Sequence, residues 1–107
     1  MSSRDRRMSF TKWVDTHVHG RRAPRLQAIV MLLWVTGPLS SYDIQESIAR
    51  AGVPVPARAG APAHTMYMRA TIDTIQRDLK LLVEQGYVRC TYPPLESARY
   101  EIPSGTL

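Results

Sequence analysis

At Gly86 the apolar rhythm of this chain changes, and that change limits the folds open to it. Before the glycine, Ile72, Ile75, Leu79, Leu82 and Val83 recur at intervals of three and four, the spacing of one helix face. After it, residues 87–92 and 98–102 alternate with period two on either side of the turn-forming PPLES, as the strands of a hairpin do. The C-terminal part therefore reads as a helix over residues 71–85 that hands over to a β-hairpin.

Two further stripes precede it. Leu26, Ile29, Val30, Leu33 and Trp34 form one, with Pro24 suited to a first helical turn and Gly37-Pro38 to a stop. Ser40 with Asp43 makes an acidic form of the capping box, Leu39 and Ile44 a hydrophobic staple, and Gly52 an end. Ile44, Ile48 and Ala49 are expected to face inward. Near the N-terminus, Ser9 stands where an N-cap belongs, ahead of Phe10, Trp13, Val14, His17 and Val18. A short amphipathic helix over residues 10–19 follows, and its stripe must bury against the domain or against a second copy. Periodicity leaves both open, so Phe10, Trp13 and Val14 are candidate partner or dimer contacts. Residues 53–68, rich in proline and alanine, read as a long irregular connector with a short extended piece near its end.

The expected class is α+β: a three-helix core plus a C-terminal β-hairpin, with an extra N-terminal helix. A chain of 107 residues has room for one compact domain, here residues 24–107, behind an arm of residues 1–23. The lone Cys90 excludes an internal disulfide, and its alternation with Val88 and Tyr92 suggests a core position. The longest apolar run, residues 28–35, is too short to span a bilayer, and the arginine-rich N-terminus lacks the apolar core of a secretory signal. A cytoplasmic protein with no membrane partner is expected.

Charge is distributed unevenly. Residues 1–25 hold Arg4, Arg6, Arg7, Lys12, Arg21, Arg22 and Arg25 against Asp5 and Asp15. The rest of the chain is formally neutral, so the whole net charge of +5 sits in the leading segment. Such an arm suits a polyanion, whose counterions are released as phosphates are neutralised. It also serves as a solubilising tail.

The residues TIQRDLKLLVEQGYV resemble the reading-helix segment of the winged helix-turn-helix modules in DeoR-type and WYL-domain bacterial regulators, through Thr74, Ile75, Arg77, Asp78, Leu79, Leu82 and Gly86. GPLSSYDIQESIA is similar to the turn and second helix of that family. The resemblance covers residues 26–102 and implies a winged helix that binds double-stranded DNA. The sequence departs from it in the 18 residues between Gly52 and Thr71, and in Leu81, where the family usually shows a polar side chain.

With the apolar stripe buried, Asp73, Thr74, Arg77 and Lys80 face outward, with Thr71 and Gln76 at the margins. Arg77 suits a guanine edge or a phosphate, Gln76 an adenine, and the threonine hydroxyls phosphates. Asp73 is also spaced to pair with Arg77 on a solvated face. Arg89 and Arg99 in the hairpin are candidates for the flanking backbone, and Arg4, Arg6, Arg7, Arg21 and Arg22 for the phosphates or a minor groove. Trp13 and Trp34 are assigned to core packing, and an exposed Leu81 to a wing, loop or protein contact.

DTHVHG looks like the His-x-His motif of amidohydrolase barrels, but such a site draws further ligands from a barrel of roughly 250 residues. Nothing in the spacing of His17, His19, His64 and Cys90 argues for zinc, and no phosphate loop or nucleophile elbow is present. The expectation is a non-enzymatic, cofactor-free transcriptional regulator, in effect a nucleoid-associated repressor acting by occlusion as a homodimer. A protein-interaction module and a non-specific nucleic-acid-binding accessory protein are the rivals. With no room for a sensor domain after the hairpin, control is expected through concentration or a protein partner.

Overall fold

Local chemistry sets several of the helix ends, although Ser9 and Arg21, ahead of the first two helices, make no side-chain cap. In the computed structural model, which describes residues 9–55, 57, 59–67, 69–93 and 97–103, the helices are α1 (Phe10–His17), α2 (Arg22–Thr36), α3 (Ser41–Ala51) and α4 (Ile72–Glu84). Ser40 caps α3 by accepting the Asp43 N–H, and Thr71 caps α4 by accepting the Thr74 N–H, both at 3.2 Å. Gly37 and Gly52 close α2 and α3 at φ of 88° and 77°, their N–H groups returning to Leu33 and Ile48.

The strands form two antiparallel hairpins, β1 (Val53–Val55) with β2 (His64–Met66) and β3 (Arg89–Thr91) with β4 (Arg99–Glu101). The protein is thus α+β, with four helices and two small hairpins among the described residues. The second hairpin is the expected one, shorter at both ends. An isolated bridge extends it: Leu39 and Tyr100 exchange backbone hydrogen bonds of 3.1 and 2.8 Å, strapping β4 to the corner between α2 and α3.

The first hairpin corrects the expected connector. Val53 pairs with Met66, Pro54 with Thr65 and Val55 with His64. Val53 is buried in the core while Pro54 faces outward, an arrangement that an edge strand tolerates. The hairpin lies close against the end of α3. A Cβ on Gly52 would stand 2.6 Å from Thr65 Cγ2 and 3.0 Å from the Tyr67 ring, at a backbone angle that only glycine adopts freely. Gly52→Ala is therefore expected to lose about 2–4 kcal/mol, strain and clash together. Gly37→Ala, with open space around it, is expected to lose only the strain, about 1–2 kcal/mol. Urea denaturation of the two variants checks the difference.

Leu26, Ile29, Leu33, Ile44, Val53, Ile75, Leu79, Leu82 and Val88 make one core between the helices and the hairpins. The α1 stripe joins it. Phe10, Trp13 and Val14 are buried in their own chain, and Phe10 and Trp13 surround Tyr87 with ring centroids 5.2 and 5.4 Å away. This corrects their assignment as partner or dimer contacts: the surface they would offer is already used in the fold. It also makes residues 10–23 part of the domain rather than a detachable arm.

Four other expectations change. Leu81 is half-buried and packs on the core, because it lies one turn beyond Asp78 on the flank of α4 rather than on its outer face. Trp34 is 58% exposed, whereas Trp13 is buried as expected. Ala49 is exposed. Cys90 is only half-buried: it sits in a hairpin of two strands, and Tyr92 on the same strand face is exposed.

Candidate nucleic-acid interface

Helix α4 presents its outer face along its whole length. Asp73, Gln76, Arg77, Lys80 and Glu84 are exposed, each three or four residues from another of the set, while Ile75, Asp78, Leu79 and Leu82 are buried behind them. Gln76 therefore stands on the face itself rather than at its margin, and Thr74 is half-buried. Among the described residues Arg77 forms no ion pair with Asp73, so its guanidinium is not held on the helix surface.

The threonines at the start of α4 are partly engaged. Besides capping the helix, Thr71 shares a 3.0 Å hydroxyl–hydroxyl hydrogen bond with Thr74. One of the two protons is used there, and one O–H remains to donate outward. Gln45 on α3 donates to the Ala70 carbonyl at 3.2 Å and fixes the approach to the cap. That approach carries two exposed side chains absent from the sequence-based set, Arg69 and Tyr67. Both are types that donate to phosphate oxygens. The only signal for Arg69 was its position two residues before a cap.

The remaining basic candidates divide. Arg22 is not available to a polyanion as expected: its Nε donates to Asp78 Oδ1 at 3.0 Å, and Arg25 grips the same carboxylate through Nε and through Nη2 at 3.2 Å. Asp78 is 1% exposed, Arg25 14% and Arg22 42%, so the carboxylate is buried and its partners reach it from the first turn of α2. Arg89 pairs with Glu101 directly across the hairpin, Nε to Oε1 at 2.8 Å, which removes most of its charge from that surface. Arg21 and Arg99 are exposed. Arg4, Arg6 and Arg7 lie outside the described residues.

On the same hairpin, hydrogen bonding to Cys90 raises the Tyr92 phenol above its ordinary pKa of 10.0, and burial raises that of Tyr100. Both stay neutral at physiological pH.

His17 stacks on Trp13 with centroids 6.3 Å apart. Among the described residues no three His, Cys, Asp or Glu side chains gather as a metal site would require, and no helix is long and apolar enough to cross a membrane. None of the family models, curated proteins or solved structures compared with the chain matches it.

Proposed function

We propose that the protein is a sequence-specific, double-stranded DNA-binding transcriptional regulator that reads the major groove with α4 and represses by occlusion. The observation that carries this reading is the outer face of α4, where Gln76, Arg77 and Lys80 stand exposed without ion-pair partners among the described residues. Guanidinium, amide and ammonium groups on the early turns of a projecting helix match the donor and acceptor edges of a major groove. The topology supports the same reading. In this reading α2, α3 and α4 serve as the three-helix core, β3 and β4, strapped by Leu39, as the wing, and α1 as an added helix, an assignment with which the element order is consistent. The β1–β2 hairpin is then an insertion ahead of the reading helix.

Selection of bound duplexes from a random pool, run at two salt concentrations, tests the proposal. A recurrent motif should be enriched at both, with affinity falling by a log–log slope of about 0.9 for each phosphate contacted. Equal affinity for selected and random duplexes overturns the specific-regulator reading in favour of a non-specific accessory protein.

A further inference from the structure

The connector between α3 and α4 carries charge of a single sign. From Ala51 to Ile72 the sequence holds Arg58 and Arg69 and no Asp or Glu. The C-terminal hairpin differs. Residues 87–103 balance Arg89 and Arg99 against Glu96 and Glu101, and Arg89 is paired with Glu101 across the strands. A phosphate backbone is therefore better matched by the inserted hairpin than by the one expected to be the wing.

The stretch that leads from β2 into α4 is pinned at both ends. On one side Met66 pairs in the ladder with Val53, which is fully buried. On the other, Ala70 is buried, its carbonyl accepts from Gln45 Nε2 at 3.2 Å, and Thr71 caps α4. Between these anchors stand Tyr67, 73% exposed, and Arg69, exposed and without an ion pair among the described residues. The Tyr67 ring rests over Gly52, 3.0 Å from where a Cβ would stand, so the glycine leaves the ring its seat. A large ring held in place yet left in water, close to a guanidinium, is a surface ordered in advance of binding. Both side chains are donors to phosphate oxygens.

Their place in the fold fits that partner. In a helix-turn-helix the helix before the turn crosses the DNA backbone, and the helix after it enters the major groove. The chain between the two passes the phosphates at the groove wall. Here Arg69 lies two residues before the cap of α4, within about 7 Å of chain from the reading helix.

We infer that the β1–β2 hairpin takes the part of the DNA-contacting wing, binding the phosphate backbone beside the major groove through Tyr67 and Arg69, while β3–β4 serves packing. This assignment rests on the reading of α4 as a groove-binding helix, though not on its sequence specificity.

Fluorescence anisotropy of the full chain with a selected and a random duplex, at two salt concentrations, tests it. Arg69→Ala should bind both duplexes at least about 10-fold more weakly, with the salt slope lower by about 0.9. Tyr67→Phe keeps the ring on Gly52 and removes one donor. It should weaken both duplexes about 2- to 10-fold at unchanged slope. Arg99→Gln, and Arg89→Gln combined with Glu101→Gln, should stay within about twofold of the unaltered chain, since no phosphate contact is lost. In a Cys90→Ser background, a photoactivated aryl azide attached at Tyr67→Cys should cross-link to DNA, whereas one at Ser97→Cys should not. A chain that binds duplex and loses sequence preference on Arg77→Ala, but is indifferent to Arg69→Ala and Tyr67→Phe, overturns this assignment and leaves the groove reading standing. A slope lowered by Arg99→Gln rather than by Arg69→Ala returns the contact to β3–β4 and overturns it too. No binding of either duplex at low salt overturns both readings together.

Discussion

Asp78→Ala is expected to destabilise the fold by about 3–5 kcal/mol, a large share of what a domain of this size possesses. The carboxylate is 1% exposed and accepts from both Arg22 and Arg25. Removing it deletes two charge-assisted contacts and leaves the Arg25 guanidinium, 14% exposed, without its counter-charge. The second effect sets the magnitude, because a buried charge that loses its partner keeps its desolvation cost. The three members should therefore rank Asp78→Ala, then Arg25→Ala, then Arg22→Ala. The last should cost only about 1 kcal/mol, since Arg22 is 42% exposed and water and Arg25 make good much of its loss. Urea unfolding curves check the order through their midpoints at unchanged slope. A loss below about 1 kcal/mol for Asp78→Ala would mean that solvent reaches the carboxylate. The triad also sets the position of α4 against the first turn of α2, and so the direction in which the neighbouring Arg77 projects.

Asp78 shows what the sequence made legible and what it did not. The stripe Ile75, Leu79, Leu82 was readable, and Asp78 falls inside it, three residues from Ile75 and four from Leu82. An acid at a core position requires a buried cation, and that inference was open. Its partners, 53 and 56 residues away, were not, because no local pattern carries a pairing that only the fold creates. The β1–β2 hairpin was missed for the same reason. Its strands are three residues long, one holds a proline, and the pairing is specified by Val53 entering the core rather than by any turn signal. By contrast the cap at Ser40 and the stops at Gly37 and Gly52 depend on side chains and backbone angles within a few residues, and they stand where the sequence put them. Trp34 misled because it adjoins the core stripe of α2 while lying on its flank, so the wheel alone did not assign it a side. For the interface, the outer face of α4 was legible from periodicity. The capture of Arg22 by Asp78 and of Arg89 by Glu101 was not, since each needs a neighbour from another element.

Those two captures shape the second large effect, the loss of sequence preference in Arg77→Ala. With Arg22 and Arg89 engaged, the exposed basic groups near α4 that form no ion pair among the described residues are Arg69, Arg77 and Lys80. Arg69 and Arg77 both carry the planar fork that reads a guanine edge through two hydrogen bonds, and of the two only Arg77 stands on the outer face of α4. If α4 occupies a major groove, Arg77→Ala should cost about 1–3 kcal/mol on the selected duplex, or roughly 5- to 150-fold in affinity, and almost nothing on random duplexes. Lys80→Ala and Arg69→Ala should behave differently, weakening both duplexes alike and lowering the salt slope by about 0.9 each. Joint replacement of Arg4, Arg6 and Arg7 by alanine should act in the same uniform way, and it isolates the N-terminal charge better than truncation. Deleting residues 1–23 would remove Phe10, Trp13, Val14 and Val18 from the core and unfold the protein whatever it binds. Fluorescence anisotropy with the two duplexes at two salt concentrations separates the classes. Should Arg77→Ala weaken selected and random duplexes equally, the helix would be holding phosphates rather than reading bases, and the specificity would have to be sought in the hairpins on either side of it.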